Sequence, residues 1–270
     1  MRMHLSDPLR PTADKRETKV GCCGYPVSRE EYYKHFNCIE INITFYQLPE
    51  IKTALKWEEE APENFEFILK AWQLITHPAN SFTYRRLKEK IPDKKKKNYG
   101  FFQPTDEVFR AWTRTKEFAD ALGCKKILFQ CPRSFKPTLE NKKNIKKFFH
   151  LITQPARRSL SVGGSPNHQF TFIWEPRGEW AKEEIKEICR RLNLIHCVDP
   201  TIKNPLYGEF NYFRLHGSYL GGRINYNYQF NDQDLNKVFK MCTKPLNYVM
   251  FNNSTMFADA LKFKKLVKVE

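Results

Sequence analysis

The chain alternates short apolar runs with amphipathic segments, and this order constrains the fold more than any other feature of the sequence. Eight runs are rich in β-branched or aromatic residues and end at Pro, Gly or polar residues, as buried strands do. They cover residues 19–24, 38–47, 65–72, 125–132, 170–178, 194–200, 211–218 and 247–254. Helical patterns separate most of them, and eight such units over about 250 residues predict a single (β/α)8 TIM barrel. We place this domain at residues 19–270, after an N-terminal extension over residues 1–18.

Two connections depart from the regular pattern. Only residues 201–209 separate the sixth run from the seventh, which is too short for a full helix and predicts an irregular sixth unit. The connection over residues 73–124 is long and contains a lysine run, so we predict an insertion after the third strand with an extra helix. A doubly wound open sheet is the alternative, but "GCCGYP" does not match its glycine-rich first turn.

The charge of the chain favours an anionic partner. The formal net charge is +16, from 46 Lys and Arg against 30 Asp and Glu, which suits a small anion or nucleic acid. Lysine-rich segments such as 88–98 and 141–147 are also typical of solvated helix faces, so charge alone leaves both explanations open. No apolar run has the length of a membrane-spanning helix. The oligomeric state is not indicated.

The cysteines indicate a reducing compartment. There are eight, no two have the CxxC spacing, and most lie within apolar runs. This pattern predicts reduced core residues in a cytoplasmic protein rather than a zinc ribbon or a disulfide framework. The N-terminus also lacks the apolar core of a signal peptide. We therefore expect a cytoplasmic protein that does not associate with a membrane.

Polar residues collect where the predicted strands end, which is where TIM barrels place their active sites. In "NYFRLHGS" (211–218), Arg214 and His216 alternate with Leu215, so both point to the same face. A buried arginine needs a partner or a ligand. By the same alternation Glu40 and Asn42 should point into the barrel, while Ile39, Ile41 and Ile43 face the helices. The polar set at the strand ends is Glu40, Asn42, Tyr46, Lys70, Gln130, Glu175, Arg177, Asp199, Arg214, His216, Asn252 and Asn253.

These residue types suit acid–base chemistry on an anion. Glu40 or Glu175 is a candidate general base, and His216 is a candidate general acid or base near neutral pH. Lysine and arginine can hold a phosphate or carboxylate. The candidate substrate-binding residues are Asn42, Tyr46, Lys70, Arg177, Arg214 and Asn252. The charges also balance three against three, so a purely structural ion-pair network is the alternative.

A divalent metal and a mobile loop are two further options at the mouth. Glu175, Asp199 and His216 could bind the metal, with His77 as a fourth ligand. The metal is not favoured, because three cationic side chains nearby lower the demand for another positive charge. The sequence identifies no cofactor. Residues 218–230 combine glycines and tyrosines, which suits a lid, a base-stacking surface or an ordinary loop packed on the barrel.

Several of these segments resemble a known family. The pieces "CIEINITFYQLP", "FEFILKAWQLITHP", "WEPRGEW", "YFRLHG" and "VMFNNS" belong to a resemblance that runs from residue 20 to about 261. The resemblance is to the YecE-like family, also called domain of unknown function 72. The resemblance implies a TIM barrel and a likeness to endonuclease-IV-like enzymes, which cut DNA with metals. This chain lacks the strand-end histidines of a multi-zinc site, and its Cys22–Cys23 pair departs from the family pattern. The matching positions are Glu40, Asn42, Tyr46, Lys70, Glu175, Arg214, His216 and Asn252.

Three functional hypotheses follow from the sequence. The first is a hydrolase that acts on an anionic, phosphate-bearing substrate, with nucleic acid among the candidates, at the C-terminal mouth of the barrel. The second is a non-catalytic nucleic-acid-binding protein whose strand-end charges are structural. The third is an enzyme similar to sugar-phosphate isomerases, by analogy of fold alone.

Overall fold

Eight parallel strands form one sheet in the computed structural model, which describes residues 16–154, 170–221 and 223–268. The strands are β1 (Glu17–Cys22), β2 (Cys38–Ile41), β3 (Glu66–Lys70), β4 (Lys126–Gln130), β5 (Thr171–Glu175), β6 (Leu194–Val198), β7 (Asn211–Leu215) and β10 (Leu246–Phe251). The sheet order is β1-β10-β7-β6-β5-β4-β3-β2. The N–H of Gly24 donates to the Glu40 carbonyl at 2.8 Å, beside a bridge from Cys23 to Glu40 that nearly closes the barrel. The predicted TIM barrel is confirmed.

Helices surround the barrel and begin where the sequence supplies capping residues. Ser28 Oγ accepts from the backbone N–H of Glu31 at 3.3 Å, as its capping-box spacing predicts. Gly123 follows the helix that ends at Ala121 and has φ +63°, a conformation that favours glycine. The helices are α1 (Arg29–His35), α2 (Ile43–Tyr46), α3 (Ile51–Glu60), α4 (Gln73–Thr76), α5 (Asp106–Ala121), α6 (Leu139–Thr153), α7 (Lys182–Leu192), α8 (Asp232–Lys240) and α9 (Met256–Lys268).

The core has two layers that share the barrel wall. Outward strand residues pack with the helices, as Phe129 does against Phe148 and Phe149. Inward residues such as Ile68 and Ile173 form a smaller apolar cluster inside the barrel. Two residues further along five of the strands, the inward positions are charged, as Lys70 after Ile68 and Glu175 after Ile173 show. This change from an apolar interior to a polar upper end places the candidate site at the C-terminal mouth.

The two irregular connections are present, with one detail that the sequence pattern predicted wrongly. No helix lies between β6 and β7 in this described stretch of the chain. The insertion after β3 contains α4 and two 3-10 helices, Phe82–Arg86 and Asp93–Asn98. The lysine-rich segment 88–98 is therefore not an α-helix face. Pro92 immediately precedes its one short 3-10 helix, and proline favours an extended conformation in the residue before it.

The second predicted strand also ends earlier than expected. Residues 38–47 were predicted as one extended run, but β2 stops at Ile41 and α2 starts at Ile43. Thr44 Oγ1 lies 2.8 and 2.7 Å from the carbonyl oxygens of Ile41 and Lys70, which share its single proton, and these contacts hold the turn. As a result Ile43 is 52% exposed instead of facing the helix layer.

A hairpin, formed by β8 (Ser218–Leu220) and β9 (Arg223–Asn225), follows β7. Gly217 starts it with φ +113°, and a Cβ there would lie 2.2 Å from the Asn225 carbonyl oxygen. Within the described ranges no helix is long and apolar enough to cross a membrane. The predicted extension over residues 1–18 lies almost entirely outside the described residues, and the single domain over 19–270 stays a prediction.

Candidate functional site at the barrel mouth

Arg214 lies at the centre of the mouth and is fully engaged by protein groups. Its Nε and Nη2 donate to the two carboxylate oxygens of Glu40 at 3.0 and 2.8 Å. Tyr212, two residues earlier on the same face of β7, donates to Glu40 at 2.8 Å. Glu40 is 0% exposed and Arg214 is 1% exposed. The bidentate pair therefore forms the floor of the site, and Glu40 is shielded from the mouth by Arg214.

Glu175 joins two guanidinium groups above this floor. Arg214 Nη1 donates to one of its oxygens at 2.6 Å, and Arg177 Nε donates to the other at 2.5 Å. Burial alone would raise the pKa of Glu175, but the charges of Arg177 and Arg214 outweigh it and hold the pKa well below its usual range. Glu175 is therefore a charged carboxylate with a low affinity for protons.

His216 is held by Asp199 on one side and by Arg177 on the other. Its Nδ1 lies 3.2 Å from Asp199, and its Nε2 lies 2.8 Å from Arg177 Nη2 and 3.4 Å from Arg214 Nη1. Guanidinium nitrogens only donate, so we assign the proton to Nδ1 and the lone pair to Nε2. Burial lowers the pKa of His216, and the two arginines add to this effect against the opposing hydrogen bond to Asp199. The imidazole is neutral near pH 7.

Asp199 is fixed by several donors besides His216. Thr201 donates from its backbone N–H and its hydroxyl at 3.0 and 2.6 Å. The Tyr219 hydroxyl of the hairpin and the His216 backbone N–H donate to the other oxygen, each at 3.2 Å. Asp199 therefore orients both the imidazole and the start of the hairpin.

Lys70 differs from the other charged groups in the mouth. It is 5% exposed, and its Nζ lies 4.0 Å from the centroid of the Phe45 ring. Among the described residues its amine has no hydrogen bond and no ion pair. Burial lowers its pKa to about 7, and Arg214 and Arg177 act in the same direction. Glu40 and Glu175 offset only part of that shift.

A cavity of about 420 Å³ opens beside His216 and Arg177. Trp180 and the hairpin residues Tyr219 and Ile224 contribute to its wall, so the predicted 218–230 loop reaches the site. Two exposed cations, Arg133 and Lys203, stand at its edge. Cavities of this size hold small molecules. The lining also includes Glu175, Pro176, Gly178, Glu179, His196, Cys197, Val198, Asp199 and Ile202.

Three predicted binding residues lie at the margin of this cluster. Asn42 donates to the Cys23 carbonyl at 3.1 Å and lies 3.5 Å from Arg214 Nη2. Tyr46 stacks under Arg86 of the insertion, with the guanidinium carbon 3.7 Å from its ring centroid. Asn252 is half-buried, and its side chain makes no hydrogen bond to the described part of the chain.

Three residues of the site were missed by sequence reasoning. Tyr212 was detectable, because it lies two residues before Arg214 and so faces the same way. Arg133 and Lys203 lie in loops after β4 and β6, where strand periodicity gives no signal.

The side chains proposed as metal ligands do not fit a metal as they stand. Over residues 16–154, 170–221 and 223–268, no group of three or more His, Cys, Asp or Glu is arranged to hold a metal ion. The donor atoms of Glu175 and His216 already accept from guanidinium groups. His77 has its Nδ1 2.8 Å from the Thr76 hydroxyl and its ring against Phe45. A metal would have to displace arginine contacts to reach these donors.

The fold and site define a TIM-barrel protein with an arginine-centred ion-pair network at its C-terminal mouth. Residues 27–270 match the family described as "Protein of unknown function DUF72", and the chain belongs to this family. It is similar to the UPF0759 protein YecE of Escherichia coli K12, 44% identical over 52 residues, which is 19% of either protein. The UPF0759 protein YunF of Bacillus subtilis 168 is 23% identical over 249 residues, 84% of this chain and 80% of YunF.

Solved structures show the same fold. A DUF72 family protein from Enterococcus faecalis V583 superposes with a TM-score of 0.68 at 19% identity, over 96% of this chain and 100% of that one. Endonuclease IV from Thermus thermophilus superposes with a TM-score of 0.53 at 9% identity, over 93% of this chain and 100% of that one. A xylose isomerase domain containing protein from Salmonella typhimurium LT2 superposes with a TM-score of 0.55 at 11% identity, over 95% of this chain and 97% of that one. At these identities the likeness concerns the fold.

Proposed function

We propose that the protein is an enzyme that binds a phosphate-bearing substrate in the cavity at the C-terminal mouth. One observation carries this proposal: the carboxylates that line the cavity already have partners, whereas Arg133 and Lys203 make no ion pair with any described residue. Glu175 pairs with Arg177 and Arg214, Asp199 binds His216, and Glu179 lies 3.9 Å from Lys136. An anion entering the cavity therefore meets positive charge that is not neutralised locally.

We further propose hydrolysis of a phosphoester as the reaction. His216 is the best-placed general base, because it is neutral and oriented by Asp199, and its Nε2 lone pair becomes available when Arg177 turns towards a bound anion. This role fits the contacts better than that of a general acid. Glu40 and Glu175 are less suited to accept protons, since their oxygens are held by guanidinium groups. Arg214 acts as a positioning residue in this proposal.

The substrate of this reaction includes nucleic acid as a candidate, which the likeness to an endonuclease supports at the level of the fold. A cytoplasmic location is part of the same proposal, supported by eight cysteines that are all buried and unpaired.

Anion binding is tested by calorimetric titration with inorganic phosphate. We expect Arg177→Met to weaken phosphate binding at least about tenfold, because it removes a charge-assisted donor from the cavity. Arg190→Met is the matched control: it removes the same charge from an exposed position on α7 and should leave binding unchanged. Equal binding by both variants would place the anion elsewhere.

Hydrolysis is tested with chromogenic phosphate mono- and diesters. His216→Asn should lower turnover by about 10²–10⁴-fold, the usual range for a general base. Turnover by the unmodified protein should decline only at acidic pH, because the pKa of His216 lies below its ordinary 6.5. Activity should survive EDTA, since the metal donors are occupied. Loss of activity in EDTA with recovery on adding a divalent ion would favour the metal site over this mechanism.

A non-catalytic nucleic-acid-binding protein is the second candidate, and one surface supports it. A groove between α6 and α7 is lined by Lys143 and Lys147, with further basic residues along it. Neighbouring lysines there are partly neutralised by Glu184 and Glu187, which weakens this candidate. Strong salt-dependent binding of DNA without cleavage, lost in Lys143→Met with Lys147→Met, would favour it over the enzyme.

A further inference from the structure

Lys70 carries a buried amine that takes no part in the ion-pair network of the described residues. Other partly buried lysines of the described chain have partners: Lys19 and Lys126 bind Glu66, and Lys244 donates to the Gly208 carbonyl. Lys70 is more buried than these and has only the ring of Phe45, 4.0 Å away. An unpaired ammonium group in such a place is costly, so packing alone does not explain this residue.

The surroundings of Lys70 favour the neutral amine. Burial and two guanidinium groups bring its pKa to about 7, so a substantial fraction of the molecules carries a free lone pair at neutral pH. An ordinary exposed lysine is neutral in fewer than about one molecule in a thousand at that pH. Desolvation next to cationic groups is the usual way in which a protein activates a lysine as a nucleophile. A neutral amine is also a poor ligand for an anion, the role that the sequence alone suggested.

We propose that the Lys70 amine forms a Schiff base with an aldehyde or ketone group of the phosphate-bearing substrate. The nitrogen bonds to the carbonyl carbon, the two amine hydrogens leave with the carbonyl oxygen as water, and the imine takes up one proton as an iminium. This inference rests on the proposed phosphate site and narrows the substrate to a carbonyl compound such as an open-chain sugar phosphate. It requires no metal and no redox partner.

Lys70 and the proposed phosphate site lie on strands that are two apart in the barrel. Lys70 pairs in register with Leu128 of β4, which pairs with Ile173 of β5, and Glu175 and Arg177 follow on that strand. Two strand spacings amount to about 10 Å. Arg177 lies four residues beyond Ile173, up to about 13 Å further along the chain, and Lys70 does not itself line the cavity. Arg177 and Glu175 do line it, and the charges of both act on the Lys70 amine. We therefore place the phosphate at the Arg177 side chain and the carbonyl group on the side of the mouth that faces Lys70. Glu40 and Glu175 offset part of the unfavourable effect that burial and the two arginines have on a positive charge at this nitrogen.

The test is reductive trapping with glyceraldehyde 3-phosphate and cyanoborohydride at neutral pH, followed by peptide mass spectrometry. We expect Lys70 to be modified at least about tenfold faster than the average exposed lysine, because far more of it is neutral. Lys70→Met should lose this adduct. Lys244→Met is the matched control, because burial also lowers the pKa of Lys244 while its position before β10 places it at the opposite end of the barrel. That variant should keep the adduct.

A parallel reaction with glyceraldehyde, which has no phosphate, separates this inference from the proposed function. Faster trapping of the phosphorylated aldehyde at Lys70 supports both the Schiff base and the phosphate site. Equal trapping of the two aldehydes at Lys70 supports the Schiff base and argues against the phosphate site. Phosphate binding in the calorimeter with no enrichment of adduct at Lys70 overturns the Schiff base and leaves the anion site standing.

Discussion

Arg214→Met is expected to lower the free energy of unfolding by about 3–5 kcal/mol, because it leaves a fully buried carboxylate without its cation. Glu40 is 0% exposed and makes a bidentate pair with Arg214. In the variant the Tyr212 hydroxyl would be the one side-chain donor to Glu40 that remains in the described part of the chain. Urea denaturation of the variant and the unmodified protein measures the difference.

Two controls establish that the loss comes from the buried charge. Adding Glu40→Gln to Arg214→Met removes the unpaired carboxylate and should recover part of the stability. Arg29→Met breaks a 2.7 Å pair with Glu60 at the surface and should change stability much less, because solvent screens that pair. An Arg214→Met protein as stable as the unmodified one would show that Glu40 is not held as a buried ion pair.

Lys70→Met is expected to have the opposite effect and to stabilise the protein by about 2–4 kcal/mol at pH 7. A pKa of about 7 in the folded state, against the ordinary 10.5, is unfavourable for folding. At about 1.4 kcal/mol per pKa unit the difference amounts to about 4–5 kcal/mol at neutral pH. Methionine has a similar length and needs no proton, and imperfect packing should remove part of the gain. Thermal and urea denaturation measure the change.

The pH dependence of stability gives this prediction a second readout. Between pH 7 and 10.5 the unfolded chain holds a proton on Lys70 that the folded protein has released, so stability rises with pH across this window. The stability gap between Lys70→Met and the unmodified protein should therefore narrow as pH rises from 7 to 10.5. A constant gap would mean that Lys70 is charged in the folded protein, and a destabilised variant would assign it a structural role.

The fold could be predicted from the sequence because each strand is marked by its own composition. The short apolar runs and the spacing between them define eight β/α units, and the short 201–209 segment marks the irregular sixth one. Period-two alternation predicted that Glu40 and Arg214 point into the barrel, where the structure places them. The prediction of one extended strand over residues 38–47 was wrong because β-branched and aromatic residues continue past Ile41. Thr44 turns the chain there through its contact with the carbonyl of Lys70, which is distant in sequence.

The pairing inside the site could not be predicted, because it depends on how strands distant in sequence meet. The composition indicated a balanced set of charges. It did not indicate that Glu40 and Arg214 would form a bidentate ion pair. Nor did it indicate that, of the three cations in that set, Lys70 would have no carboxylate partner among the described residues. Both facts underlie our proposals, in which Arg214 is a positioning residue and Lys70 is a nucleophile rather than an anion ligand. Loop residues such as Arg133 gave no periodic signal at all.

A crystal structure of the protein soaked in inorganic phosphate would show whether the cavity at the mouth binds an anion. We expect phosphate in this cavity, bound by Arg177 and close to His216, with the Glu40–Arg214 pair unchanged beneath it. Phosphate that binds only outside the mouth, or a cavity that stays free of phosphate at concentrations where calorimetry shows saturation, would rule out the proposed site.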